Sequence, residues 1–131
     1  MRNRSHTIEP QPTPWTWRDD VAAAGALNFV AGIWLVVSPF VLGYGDGDPV
    51  LNPIFFGTLL LLFSLIRAVG AYRQTWMSGV NVMIGGWIFA SAFWLADTAT
   101  AAWNDLITGA VVMGLALWSM GASTEGDASR R

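Results

Sequence analysis

The residues of this chain that could bind a metal ion are two carboxylates in one short segment. Asp46 and Asp48 lie two residues apart within Gly-Asp-Gly-Asp-Pro, and two carboxylates at that spacing in a flexible loop can share a hard divalent cation. The segment lacks the further oxygen ligands of a calcium loop. Glycine, aspartate and proline are also the residues of an ordinary turn. We therefore predict a turn, with cation binding as the lesser alternative.

The chain contains few residues that could carry out catalytic or redox chemistry. It has no cysteine and one histidine, His6, which lies in the N-terminal tail. A haem or quinone site would therefore depend on methionines without a histidine partner, and no nucleophile or general base has a visible orienting partner. The net charge of −2 argues against nucleic-acid binding. We expect a protein that is not an enzyme and that binds no metal, cofactor or nucleic acid.

The composition is that of a membrane protein. Hydrophobic residues make up 53% of the 131 residues and charged residues only 12%, whereas soluble domains carry roughly 25% charged residues. Eight tryptophans and seven phenylalanines could not be hidden in so small a soluble core, because a domain of this length buries only about two-thirds of its unfolded surface. The composition therefore argues against a soluble protein and for one embedded in a lipid bilayer.

Charged residues divide the chain into four charge-free windows, each of which can span a bilayer as a helix. The windows cover residues 21–45, 49–66, 74–96 and 106–124. About 20 helical residues cross a hydrocarbon core of about 30 Å, so the second window is slightly short, and we expect Arg67 to extend it with its charge snorkelling toward the headgroups. The predicted fold is all-α, a polytopic membrane protein with four transmembrane helices.

The arginines all fall on one side of this predicted bundle. Arg67 and Arg73 lie between helices 2 and 3, and the other five lie in the terminal tails. The opposite side receives only aspartates. Because positive charge is retained on the cytoplasmic side, we predict a multi-pass plasma-membrane protein with both termini cytoplasmic. Residues 1–20 and 122–131 are predicted to be a flexible N-terminal tail and a disordered C-terminal tail.

The two halves of the predicted bundle repeat one another. Six residues of the stretch 28–42 recur in the stretch 81–95, at an offset of 53. These pairs are Asn28 and Asn81, Gly32 and Gly85, Trp34 and Trp87, Ser38 and Ser91, Phe40 and Phe93, and Leu42 and Leu95. At an offset of 52, Asn52 matches Asn104 and Gly57 matches Gly109. Each copy crosses the membrane twice, so residues 21–73 and 74–121 are predicted to form two parallel two-helix repeats.

The stretch from Asn28 to Phe40, Asn-Phe-Val-Ala-Gly-Ile-Trp-Leu-Val-Val-Ser-Pro-Phe, and its weaker copy through Trp87 and Phe93 resemble the SPW repeat family of small integral membrane proteins. The resemblance covers roughly residues 21–121. It implies two membrane-embedded copies of a two-helix unit. The family is defined by sequence and topology, without an established biochemical activity, so the resemblance supports the fold and leaves the function open.

Both copies depart from the Ser-Pro-Trp motif for which the family is named. Phe40 stands where tryptophan is usual, and the second copy has Ala92 in the place of Pro39. A proline present in one copy only argues against an essential kink in helix 3. In helix 1 we expect Pro39 to bend or end the last turn, with the Ser38 hydroxyl satisfying a freed backbone group; a functional hinge is the alternative.

The polar residues of the repeat predict mostly structural roles. Asn28 and Asn81 would be costly facing lipid, so we expect each to hydrogen-bond to a neighbouring helix, with substrate binding as the alternative. Asn28, Gly32, Leu35 and Pro39 share one helix face, which predicts close helix packing there. Trp34 and Trp87 lie deeper than an interfacial aromatic belt, which predicts packing inside the bundle. Asn52 and Asn104 are interpreted as the N-caps of helices 2 and 4.

These observations leave two functions open. The first is a non-enzymatic structural or protein-interaction module, whose partners would be the bilayer and either a second copy of the chain or another membrane protein. The second is a small pore or permease subunit formed by oligomerisation, with Asn28 and Asn81 lining a polar path. In a pore, these asparagines would face each other across a water-accessible cavity. In a structural module, they would be buried against helix backbones.

Overall fold

The computed structural model of the protein describes residues 17–69 and 75–128 and shows four helices. They are α1 (Trp17–Leu42), α2 (Asp48–Ala68), α3 (Thr75–Ser91) and α4 (Ala99–Ala128). Within the described residues there is no β-strand. α1 packs along α2 and α4, α3 packs along α4, and the contact between α2 and α3 is smaller. The prediction of an all-α bundle of four helices is therefore confirmed.

Three of the four helices are long and apolar enough to cross a membrane. These spans are Asp19–Leu42, Asp48–Ala68 and Ala99–Ala122, with mean hydropathies of 1.9, 2.0 and 1.5. α3 has 17 residues, which at 1.5 Å per residue gives about 26 Å, less than the hydrocarbon core of about 30 Å. After Ser91 the chain continues in successive turns, in which the amide of Leu95 donates to the Ser91 carbonyl. The predicted window 74–96 is thus only partly helical.

Glycine, and not proline, ends α1. The helix continues through Pro39 to Leu42, and Gly43 follows with a φ of +66°. The amide of Tyr44 donates to the Pro39 carbonyl at 3.0 Å, which is the hydrogen bond of a Schellman helix end. The Ser38 hydroxyl donates to the Leu35 carbonyl at 3.3 Å, and this is the carbonyl that the proline ring deprives of its usual donor. The expected role of Ser38 is therefore confirmed.

Several helix boundaries correct the sequence interpretation. α2 begins at Asp48, after Gly47 with a φ of +88°, and α4 begins at Ala99, so Asn52 and Asn104 lie inside helices and are not N-caps. α4 also continues to Ala128, so the disordered tail predicted for 122–131 is wrong for 122–128, where the backbone remains helical. α1 begins at Trp17, so the flexible tail predicted for residues 1–20 is wrong for 17–20. The predictions for residues 1–16 and 129–131 lie outside the described residues.

The sequence repeat reappears in the hydrophobic core. The buried core cluster consists of three pairs of residues, and the two members of each pair occupy equivalent positions of the two copies. The pairs are Ala31 and Ile84, Leu35 and Ile88, and Leu60 and Val112. Each copy therefore contributes the same layers to one shared core, and the two copies cannot be separated without exposing it.

Glycines allow the two helices of each copy to approach closely. A Cβ atom added to Gly85 would lie 2.7 Å from the Met113 backbone nitrogen, and one added to Gly109 would lie 2.5 Å from the Phe89 backbone nitrogen. In the first copy, a Cβ on Gly32 would lie 3.1 Å from the Gly57 carbonyl oxygen. The prediction that the repeated glycines mark close helix packing is therefore confirmed, and the contact lies within each copy.

Candidate functional site

Two tryptophans of the repeat meet two of its asparagines, Asn52 and Asn104, at one end of the bundle, called here the Tyr44 end, where α1 and α3 end and α2 and α4 begin. The indole nitrogen of Trp34 in α1 donates to the Asn104 side-chain oxygen in α4 at 2.8 Å. The indole nitrogen of Trp87 in α3 donates to the Asn52 side-chain oxygen in α2 at 3.0 Å. Each tryptophan is therefore bonded to the asparagine of the other copy.

The same asparagines also bind the serines of the opposite copy. The Asn104 amide nitrogen donates to the Ser38 hydroxyl at 3.2 Å, and the Asn52 amide nitrogen donates to the Ser91 hydroxyl at 2.9 Å. We call these two sets of contacts the Trp–Asn–Ser networks. Their reciprocal arrangement is the one that a two-fold relation between parallel copies produces. Each network joins the first helix of one copy to the second helix of the other.

The tryptophan rings lie at the surface of the bundle, and the prediction that they pack inside it is wrong. Trp34 and Trp87 are 41% and 43% exposed. The apolar body of an indole ring is at no disadvantage against lipid, whereas its N–H group needs an acceptor there. The asparagines supply that acceptor from the neighbouring helix. Phe40 and Phe93, the third residues of the repeated motif, are also exposed.

At the Tyr44 end the first network extends toward the loops. The Asn104 amide nitrogen donates to the Tyr44 hydroxyl at 2.8 Å, and this hydroxyl lies 3.3 Å from a carboxylate oxygen of the buried Asp105. Burial, and then the charge of Asp105, raise the pKa of Tyr44 to about 12, so the phenol keeps its proton and can donate it. The Gly45 amide donates to Asp97 at 2.9 Å. These contacts tie the loop after α1 to the beginning of α4.

The opposite end of the bundle, called here the Arg67 end, holds a buried cation. Arg67, the penultimate residue of α2, is only 5% exposed. Its guanidinium donates to the Ser78 hydroxyl in α3 at 2.8 Å and also to the Ser119 hydroxyl in α4. The prediction that Arg67 snorkels toward the headgroups is therefore wrong, because two serines of the second copy accept its hydrogen bonds inside the bundle.

Three other polar side chains have buried atoms without a hydrogen-bond partner. Neither atom of the Asn28 amide is paired, nor is the side-chain oxygen of Asn81 or the hydroxyl of Ser64. Asn28 is 1% exposed, and the backbone groups of the helices around it are used within those helices. The hydrogen bonds expected for Asn28 are therefore not made. Among the described residues, no group of three or more histidine, aspartate or glutamate side chains could hold a metal ion.

The family model described as the SPW repeat domain matches residues 22–119. This range contains both Trp–Asn–Ser networks, the shared core and Arg67. Neither a curated protein nor a solved structure matches the chain.

Proposed function

The chain belongs to the SPW repeat family and is a membrane protein, and from that premise we propose that it is a non-enzymatic structural or protein-interaction module of the bilayer. The observation that carries the proposal is the reciprocal pair of Trp–Asn–Ser networks. The asparagine side chains of both networks are used in joining one copy to the other. These asparagines, with the tryptophans and serines that they bind, are thus used to hold the bundle together.

The exposed surface of the bundle is consistent with this proposal. Large apolar side chains face outward along its length, among them Phe40, Phe93, Trp94 and Trp103. Such a surface is suited to lipid and to the apolar face of another transmembrane helix. We propose as partners the bilayer itself and either a second copy of this chain or another membrane protein.

The proposed location is the plasma membrane, with both termini and the Arg67 end on the cytoplasmic side. The chain has no cysteine, so single cysteines can be introduced as topology probes. A membrane-impermeant maleimide added to intact cells is expected to label the variant Asp46→Cys and to leave Asn3→Cys and Gly70→Cys unlabelled. All three variants should be labelled once the membrane is permeabilised. Labelling at positions 3 and 70 but not at 46 in intact cells would contradict the proposed orientation.

A second candidate function is a small pore or permease subunit formed by oligomerisation. The observation that favours it is the set of unpaired polar groups on Asn28, Ser64 and Asn81, because polar atoms without protein partners can serve a permeating solute. Burial of both asparagines, at 1% and 2% exposure, favours the structural module instead. A continuous path would have to open between the helices around them.

Permeation assays with purified protein in liposomes separate the two functions. We expect the wild type to cause no leak of ions, water or small solutes, because its core is closed by apolar side chains. The double variant Asn28→Leu/Asn81→Leu should behave identically and remain folded, as judged by circular dichroism. A wild-type leak that disappears in the folded double variant would contradict the structural module, because an apolar constriction blocks flux without unfolding the bundle.

A further inference from the structure

We propose that the groove between α1 and α2 at the Arg67 end binds an anionic phospholipid, whose phosphate group is recognised by Arg67. The groove has a volume of about 410 Å³, and its walls include Val21, Gly25, Phe29, Ser64, Leu65 and Arg67. This site lies apart from the Trp–Asn–Ser networks, which are at the opposite end of the bundle. The inference therefore holds for a structural module and for a pore alike.

The groove is open to the lipid side of the bundle. Phe29 of α1 and Leu65 of α2, which belong to its walls, are exposed. A Cβ atom added to Gly25 would meet no atom within 4 Å, so the space beside this glycine is empty. Most of the wall is hydrocarbon, which suits an acyl chain or the glycerol region of a lipid.

The polar part of the groove holds a cation that has no opposite charge among the described residues. A guanidinium has five N–H donors, and two of those of Arg67 are used by Ser78 and Ser119. Among the described residues no carboxylate forms an ion pair with it. A cation buried inside a protein is costly without an opposite charge. An anionic ligand would supply that charge.

Ser64 is the second feature that indicates a ligand. Its side chain is 4% exposed, its hydroxyl has no hydrogen-bond partner, and it lies in the wall of the groove one helical turn from Arg67. A hydroxyl that is buried without a partner is destabilising, because it has lost its hydrogen bonds to water. A phosphate bound to Arg67 could also accept the Ser64 hydrogen bond. An unpartnered hydroxyl and a cation with no counter-ion among the described residues thus lie on one face of α2, in the wall of the same groove.

The position of the groove favours a lipid phosphate over a free anion. Arg67 is at the end of α2, at the depth where a membrane-spanning helix meets the headgroups, and basic pockets between helices at this depth bind the headgroups of anionic lipids. The second copy offers an internal comparison, because Ser119 occupies the position equivalent to Arg67 and Ser78 the position equivalent to Gly25. That copy has no cation of its own there, so we expect one lipid site in each chain.

Native mass spectrometry of delipidated protein in a mild detergent tests this site. The wild type should bind phosphatidylglycerol about tenfold more tightly than phosphatidylcholine with the same acyl chains, a difference of about 1.4 kcal/mol. Arg67→Gln should bind both lipids equally. Gly25→Leu fills the groove and should weaken both lipids. Gly121→Leu is the matched control, because Gly121 is an exposed glycine near the same end, with no atom within 4 Å of an added Cβ, and it should bind like the wild type.

The outcomes decide the proposal in each case. Equal affinity of the wild type for the two lipids would overturn the proposal. It would also be overturned if Gly25→Leu bound both lipids as tightly as the wild type does and kept the preference for phosphatidylglycerol. Inorganic phosphate at the same concentration should not displace phosphatidylglycerol, and displacement would assign the site to a free anion and overturn the lipid. If Arg67→Gln does not fold, Gly25→Leu decides the matter, because it leaves Arg67 and its serine contacts in place.

Discussion

Replacing Gly109 with leucine is expected to lower the free energy of unfolding by about 3 kcal/mol. The Cβ atom of the new side chain would lie 2.5 Å from the Phe89 backbone nitrogen and 2.8 Å from the Gly85 carbonyl oxygen. Both are backbone atoms, so α3 and α4 must move apart to admit the side chain. Reversible unfolding in mixed micelles, followed by circular dichroism, measures the loss.

Gly114→Leu is the matched control for this prediction, because it makes the same substitution on the same helix. Gly114 is exposed, and a Cβ atom there would meet no atom within 4 Å. Leucine is also the better helix former by up to about 1 kcal/mol, so Gly114→Leu should be as stable as the wild type or slightly more stable. Equal stability of the two variants would show that α3 and α4 do not touch at Gly109.

The second large effect is expected at Asn104, whose replacement by leucine should cost about 2 kcal/mol. The substitution removes the acceptor of the Trp34 indole and the donor to Ser38 and Tyr44. Hydrogen bonds between membrane helices contribute about 0.6 kcal/mol on average and up to about 1.7 kcal/mol each. Three such bonds account for the predicted loss, which the same unfolding measurement would detect.

Asn28→Leu is the comparison for Asn104→Leu, since it makes the same change of side chain at another polar position of the repeat. Asn28 is buried, and its amide has no partner. A leucine there removes an unsatisfied amide, so stability should be unchanged or higher. A loss as large as that of Asn104→Leu would mean that Asn28 makes contacts in the membrane that are absent from this structure.

The fold could be predicted from the sequence because its determinants are local or repeated. Charge-free windows set the number of helices, and the glycines matched between the copies marked the close contacts. Asn52 and Asn104 show where this reasoning fails. An asparagine near the beginning of an apolar run is typical of an N-cap, whereas its real partners lie 35 and 70 residues away in the sequence. The repeat identified these residues as equivalent, but it did not identify their partners.

Arg67 shows a second limit of the sequence. An arginine at the end of an apolar window usually snorkels, and its acceptors, Ser78 and Ser119, belong to the other copy. One signal could have identified this contact. Arg67 and Ser119 are equivalent at the offset of 52, and equivalent positions that face a two-fold axis come close together. The length of α3 could not be predicted from the sequence either, because an apolar window does not show at which residue a helix ends and turns begin.

A double-mutant cycle across the two copies tests most directly the central claim that the Trp–Asn–Ser networks hold the copies together. Trp87→Phe keeps an aromatic ring and removes the indole donor, and Asn52→Ala removes its acceptor at 3.0 Å. The account predicts a coupling energy of about 1 kcal/mol between these two substitutions. It predicts coupling within about 0.5 kcal/mol of zero for Trp87→Phe with Asn104→Ala, because Trp87 donates to Asn52 and not to Asn104. Coupling to Asn104 in place of Asn52, or coupling to neither, would contradict the account.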